Sequence, residues 1–476
     1  MMKAVADQPS FKILICLIRL WDANDASSLM TIPAQCDMIT EVSSVEISES
    51  FTDVIGTAKV KFPKGTVLRK TLDEINAEES VDEIKMSSTG VVEVLKSKAQ
   101  IARVGDFSVG RRIRIQLGYT TDPAIAALTK VGDGRKNIYN TDSLKQDYIQ
   151  AMNYTFDGYI VKCGIEEPIE IKCEDLGHML KKVMCPRIGS VKGLKVNDFL
   201  ASDGKYKLLE DTGLELLPAS KDKNLNIGKF SPDDNMTVYE LLTSWSKKKL
   251  HSFVVIENDT PYLAVAKSYL TNAKDDSVIK IMEKSTTVPV VDFGYHVANN
   301  GLTLSRIDPL FLAVRATGTD SSGKHLHLVL MLNPEYRTNP AAEKYRVVND
   351  SNQSKKSKKS KKSGQSSQGS KVDLKKYTVV DFHSDTEKLT KDKLKTEAIE
   401  YFESYNQNGM DGTLTLFGDF SDQEIYTGGK VELADPRQSA KNGVYLIGEV
   451  VTRFGVDGYR KVLKLPYCIA LKNDDE

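Results

Sequence analysis

Apolar and polar residues alternate with a period of two over both ends of the chain, and this pattern predicts strands. FKILICLIRLW (11–21) is a continuous apolar run. In ITEVSSVEISESF (39–51), Val42, Val45, Ile47 and Phe51 are broken by polar partners, and TDVIGTAKVKFP carries the pattern on to Pro63. Strands are therefore expected over 11–62. Residues 64–109 are more polar and read as an excursion. RRIRIQLGY (111–119) alternates again, with Ile113, Ile115 and Leu117 on one face, before a second polar excursion at 120–153. TFDGYIVKCGI (155–165) and EPIEIKCED (167–175) read as two strands joined by a short turn, and LGHMLKKV follows as a short helix or turn.

The middle of the chain changes period. VNDFLAS (196–202) is a helical piece. In TVYELLTSWSKKKL (237–250), Val238, Leu241, Leu242 and Trp245 recur at helical spacing. Thr237 with Glu240 three residues on forms a capping box, which satisfies free amides of the first turn. Three lysines follow at the C-terminal end, where the helix dipole favours cations. HSFVVIE, NDTP and YLAVAKS then read as a hairpin. Strands return from about 286 in VPVVDFGYHV, DPLFLAVRATG and KHLHLVLML. The Lys/Ser-rich stretch at 351–376 contains SNQSKKSKKSKKSGQSSQGSK, which has no apolar side chain to bury, and a disordered loop is expected. A second helix is expected over 384–405, capped by Ser384 and Glu387, with Leu394, Ala398, Ile399 and Phe402 on one face and Asn408-Gly409 at its end. GTLTLFGDF, GGKVELA, GVYLIGEVVTRFG and GYRKVLKLPYCIAL close the chain as strands.

Charge narrows the function classes. The 476 residues hold 65 basic and 65 acidic side chains, so no global attraction to nucleic acid or to an anionic membrane exists, and any electrostatic function has to be local. Cys16, Cys36, Cys163, Cys173, Cys185 and Cys468 show no C-x-x-C spacing and read as buried free thiols of a reducing compartment. The apolar run Ile13–Ile18 is short, ends in Arg19 and lacks a following small-residue cleavage site, so it reads as a strand rather than an export signal. No apolar stretch reaches the roughly 18 residues a membrane-spanning helix needs, and no stable membrane insertion is expected.

The candidate chemistry is thin. His325 and His327 stand two apart on a strand and share a face, but no third ligand lies near in sequence, so they read as ordinary strand residues rather than a metal site. Glu166, Glu167, Glu174 and Asp175 cluster around a hairpin turn, where acids are ordinarily solvated. Phosphate-binding, dinucleotide-binding and nucleophile-elbow motifs are absent from the sequence. No catalytic, cofactor-binding or metal residue is therefore assigned, and no small-molecule substrate is expected. The lysine run at 355–362 is either a flexible cationic arm or a solvated loop, and it carries no interleaved aromatic to stack on bases.

The closing strands carry a resemblance. Tyr426-Thr427-Gly428-Gly429-Lys430-Val431-Glu432-Leu433 is followed by Asn442-Gly443-Val444-Tyr445-Leu446-Ile447-Gly448-Glu449-Val450. Arg453-Phe454-Gly455-Val456-Asp457-Gly458-Tyr459-Arg460-Lys461-Val462-Leu463-Lys464-Leu465 ends it. This is similar to the last strands of the phage late-control D family of tail hubs, related to the hub part of valine-glycine-repeat spike proteins. Arg453 departs from that pattern, standing where a histidine is frequent. The helix at 384–405, the helix and hairpin of 237–268 and the FDGYIVKCGIEEPIEIKCEDLGHMLKK hairpin resemble further pieces of the family, in the same order.

The resemblance implies a mainly β fold with α+β insertions: two β-barrel tube domains with a small α+β domain between them. The expected division is a first tube domain at 1–185, with excursions at about 64–109 and 120–153, an inserted α+β domain at 186–285, and a second tube domain at 286–476. It further implies a structural hub with no enzymatic activity, a homotrimer that adapts a six-fold tail tube to a three-fold central spike. Its expected partners are itself, the tail tube protein, the spike, the tape-measure protein and other baseplate proteins, without recognition of a nucleic-acid sequence. The expected location is the virion tail baseplate, assembled in the bacterial host cytoplasm. The chain stops soon after the last tube strand, so the spike is expected to be a separate polypeptide. An equivalent hub of a contractile injection or type VI-like secretion machine shares these features. A peptidoglycan-cleaving tail enzyme and an unrelated β-rich adhesin are the remaining readings.

Overall fold

The structure is a computed structural model that describes residues 13–25, 29–33, 36–68, 85–86, 92–93, 100–120, 154–186, 191–230, 235–246, 250–267, 277–283, 287–304, 311–339, 341–350, 371–372, 374–384, 389–405, 409–418, 420 and 424–471. The fold is mainly β. Most of the second polar excursion and the lysine run at 355–362 lie outside the described residues.

The main sheet has eleven strands, numbered here in chain order: β1 Ile13–Trp21, β2 Asp37–Ile39, β3 Ser44–Ser50, β4 Thr57–Lys61, β5 Arg112–Thr120, β6 Tyr154–Cys163, β7 Glu170–Asp175, β8 Val297–Asn300, β9 Leu414–Phe417, β10 Glu449–Gly455 and β11 Gly458–Lys464. Their spatial order is β8-β9-β11-β10-β3-β4-β7-β6-β5-β1-β2, and every neighbouring pair is antiparallel. The central pairing, β3 with β10, joins the beginning of the chain to its end.

Two cores lie under this sheet. Ile18, Ile47, Val60, Ile113, Ile115 and Ile171 belong to the first. Val67–Leu68, which follows β4, lies against β2, so this half of the sheet wraps around its core. Leu414, Leu416, Val450 and Leu463 of the main sheet form the second core with Val291, Leu433 and Tyr445 of a four-stranded sheet. Alternation along GVYLIGEVVTRFG and GYRKVLKLPYCIAL predicts one strand in each. Each is split. Gly443–Leu446 and Tyr467–Leu471 pair in the four-stranded sheet, whereas β10 and β11 belong to the main one. The break falls at Gly448 and Pro466, which touch: a Cβ on Gly448 would sit 2.7 Å from the Pro466 ring. A strand that bends between two sheets needs that close approach.

The middle of the chain contributes helices α1 Val196–Leu200, α2 Pro218–Lys223, α3 Val238–Ser246 and α4 Val278–Ile281. The capping box of α3 forms: the Thr237 amide donates to Glu240 Oε2 at 2.8 Å and the Glu240 amide donates to Thr237 Oγ1 at 3.2 Å. Val238, Leu241, Leu242 and Trp245 are buried, as their spacing predicts. The hairpin Leu250–Glu257 with Thr260–Lys267 turns on Asn258 and Asp259 alone, both at positive φ. That geometry favours Asn and Asp, and it matches the twist of the strands. Thr260 and Pro261 already belong to the second strand.

Leu312–Thr319, His325–Leu332, Tyr345–Asp350, Lys371–Val372 and Thr378–Ser384 form a separate five-stranded sheet rather than joining the closing strands. Helix α5, Lys391–Tyr405, covers one face through Leu394, Ala398 and Phe402. Two expectations need correction here. Ser384 does not cap a helix; it ends a strand and pairs with Gly318. The cap is Thr390, whose Oγ1 accepts from the Lys393 amide at 3.2 Å. Alternation in TVVDFHS favours a strand up to Ser384, and Glu387 lies outside the described residues. The end of the 351–376 loop is also placed. Lys371–Val372 pairs with Asn349 and Asp350, and Leu374 is buried.

Candidate functional site

The main sheet presents three surfaces that can take part in assembly: a capped rim, an open rim and a wet face. Antiparallel register fixes which residues lie at which rim. The ends of β3 and β7 and the starts of β4, β6 and β10 share one rim. The middle of the chain caps it. Phe51, just after β3, packs with Phe253, Ala264, Met282 and Leu446. Ile55, Leu176 and Leu180 pack with Trp245, Leu263 and Val265.

A crevice of about 130 Å³ remains where the three parts of the chain meet, lined by Glu49, Asp53, Asp175, Val254, Met282 and Tyr426 among others. Asp175 is its structural pin. Its carboxylate accepts the Gly56 amide at 2.6 Å and the Gly177 amide at 2.8 Å, tying β4 to the turn after β7. Burial pushes its pKa up to about 8, against the lowering effect of those two amides.

The other expected acids behave differently. Glu174 is paired with Lys181 at 2.7 Å and with His178 at 2.9 Å. Burial alone would raise its pKa, but these partners hold it below the ordinary value. Glu166 and Glu167 are exposed at the hairpin turn, and Glu167 faces Lys64 at 3.7 Å. His325 and His327 are both exposed on their strand. Among the described residues no group of three or more His, Cys, Asp or Glu is placed to hold a metal ion.

The opposite rim is open. It contains the hairpin tips between β10 and β11 and between β6 and β7, the turn before β8, the end of β9 and the segment before β5. Val456 at the first tip is 98 % exposed and Ile165 at the second is 85 % exposed. Tyr295, Phe417 and Val109 are exposed on the same rim. Isolated exposed apolar residues are ordinary, but a row of them along one edge marks an interaction surface. The sequence reading missed these residues. Val456 and Ile165 each follow a glycine at a turn, an unusual place for a bulky apolar side chain, and that was the available signal.

A buried charge cluster stiffens β1, β5 and β6 beside the crevice at the capped rim. Arg114 Nε lies 2.9 Å from both oxygens of Asp157, whose side chain is fully buried. Arg112 lies beside the same carboxylate at 3.7 Å, over the rings of Trp21 and Tyr159, and donates to the Leu29 carbonyl. Burial raises the Asp157 pKa against the pull of the arginines.

No family model matches the chain, and no curated protein matches it in sequence. Solved structures do resemble it. A tail protein from Neisseria meningitidis is 11 % identical over 95 % of this chain and 96 % of its own, with a TM-score of 0.46. The 43 kDa tail protein of prophage MuSo2 from Shewanella oneidensis is 10 % identical over 95 % and 98 %, also at 0.46. A Francisella PdpA–VgrG complex is 9 % identical over 96 % of this chain and 58 % of its own, at 0.42. Each is a likeness of structure at low identity, to a tail protein, a prophage tail protein or a VgrG complex.

Proposed function

We propose that this chain is the structural hub of a contractile phage-type tail, a homotrimer in the baseplate that adapts a six-fold tail tube to a three-fold central spike. The pairing of β3 with β10 carries the reading. It sets two β-rich cores side by side along one antiparallel sheet, so each chain supplies two neighbouring units and three chains supply six. We assign residues 1–185 and 286–476 to two barrel-like tube domains and 186–285 to the domain between them. Closing the ring requires heterologous contacts related by rotation. On this reading the open rim faces the tube and the capped rim faces the spike. The role is mechanical, and no catalytic step is assigned.

Light scattering on the full chain, alone and co-expressed with the spike protein of its own system, tests the proposal. A mass of three chains and a three-fold ring in electron micrographs are expected. A monomer under both conditions overturns it. A peptidoglycan zymogram of the purified protein is expected to be blank.

A further inference from the structure

The wet face of the main sheet carries a row of cations that no stretch of sequence reveals. Register places Arg460, Arg453, Glu46, Lys59, Lys172 and Lys162 opposite one another in turn across β11, β10, β3, β4, β7 and β6. Five of these six side chains are basic. At strand spacing the row spans about 24 Å. Part of it floors a concavity of about 560 Å³ whose lining includes Lys59, Lys61, Arg453 and Arg460 with the acids Glu46, Glu170 and Asp457, and Val456 at its edge.

Acids offset only part of the charge. Glu46 pairs with Arg453 at 2.9 Å and Glu170 with Lys59 at 3.1 Å. Lys162 and Lys172 are exposed and have no ion pair among the described residues. Arg453 opposite Arg460, Lys59 opposite Lys172 and Lys172 opposite Lys162 are three like-charge cross-strand pairs in one row. Such pairs destabilise a sheet. A fold that keeps three in one row, with Glu46 between the first and the other two, gives up stability for a ligand of opposite charge.

We propose that this row is a binding site for the phosphate backbone of nucleic acid, read without regard to sequence. An extended row of five cations, interrupted once at Glu46, matches a polyanion, whose affinity comes from neutralising phosphates and releasing their counterions. A folded protein partner would need apolar or aromatic anchors beside the charges. Among the described residues, Phe417 at the row's end, covered by the Arg460 guanidinium at 4.8 Å from its ring centre, and Val456 at the edge of the concavity are the exposed apolar groups beside it, and no apolar group pairs in register with Lys59, Lys172 or Lys162. The site goes beyond the hub reading and stands whether or not the chain forms a trimer.

The test uses the full chain and three probes: a labelled 30-base-pair duplex of random sequence, a second unrelated duplex, and poly-glutamate. Fluorescence anisotropy is measured over a range of salt concentrations. With three to four phosphates neutralised, log affinity should fall against log salt with a slope of roughly −3 to −4, equally for both duplexes. The variant K162A/K172A should bind at least tenfold more weakly at low salt, with the slope reduced by roughly 2. It should also melt no lower than the wild type, because it loses like-charge repulsion. Wild-type binding that survives in K162A/K172A but vanishes when residues 351–370 are deleted overturns the proposal. So does the absence of duplex binding. Poly-glutamate bound as tightly as the duplexes overturns it in favour of an acidic protein.

Discussion

Arg453 reaches Glu46 across the seam of the main sheet, Nε to Oε2 at 2.9 Å, although 407 residues separate them in sequence. The pair reports the joining of the chain's two ends, but it does not hold them. Both side chains are about half exposed, and exposed ion pairs contribute about 0–1 kcal/mol. Arg453→Ala and Glu46→Ala should each cost less than about 1 kcal/mol in chemical denaturation. Ile47, fully buried behind the same strand, should cost about 2–5 kcal/mol as Ile47→Ala. Equal losses at the two kinds of position would contradict this account of the seam.

Gly158 is a steric requirement. A Cβ there would lie 2.1 Å from the Glu174 carbonyl oxygen, a backbone atom of the adjacent strand. Gly158→Ala should destabilise the protein by about 1–3 kcal/mol or more, as overpacking does. Gly105 has open space around it and no positive φ. Gly105→Ala should be neutral or slightly stabilising. Thermal melting of the two variants side by side separates the cases.

Asp175 makes stability depend on pH with a defined sign. Its folded pKa of about 8 lies above the ordinary carboxylate value. The folded state therefore holds the proton more tightly than the unfolded chain. Its contribution is fully present below the unfolded pKa of about 4 and is lost as pH rises through the folded value. Asp175→Asn removes this dependence and also loses one of the two amide acceptors. Urea denaturation at pH 5, 7 and 9 should show the wild-type advantage over Asp175→Asn shrinking as pH rises. An advantage that grows with pH would refute it.

The Asp157 carboxylate should be the most costly single charge to remove. Truncation to Ala strands Arg114 and Arg112 without their anion in a buried setting. A loss of about 3–5 kcal/mol is expected. Asp203, which faces Lys221 at 3.1 Å on the surface, serves as the control, and Asp203→Ala should leave the denaturation midpoint almost unchanged.

The thiols should be unreactive in the native state. Burial raises Cys16 to about 12 and Cys185 to about 11, and raises Cys173 as well. The thiolate is the reactive form. A colourimetric thiol reagent at pH 8 should therefore label these three slowly in the folded protein and promptly in guanidinium. Rapid native labelling of Cys16 would contradict its burial.

Local signals in the sequence determined the elements. The Thr237–Glu240 box, the α3 face of Val238, Leu241, Leu242 and Trp245, and the Asn258–Asp259 turn involve residues within a few positions of one another, so propensity and period suffice to find them. The same holds for the glycine-marked closing strands, on which the family resemblance rests. Ser384 shows the limit: a capping-box spacing there lost to strand pairing with Gly318, a partner 66 residues away. Tertiary structure alone decided that β3 pairs with β10, that the strand after Gly448 changes sheets, and that Lys162, Lys172, Lys59, Arg453 and Arg460 share one row. Each depends on which strands become neighbours. Strand alternation assigns a residue to a face, but only long-range pairing assigns it to a level beside a residue from the other end of the chain. The balanced total of 65 bases and 65 acids therefore concealed a local line of positive charge.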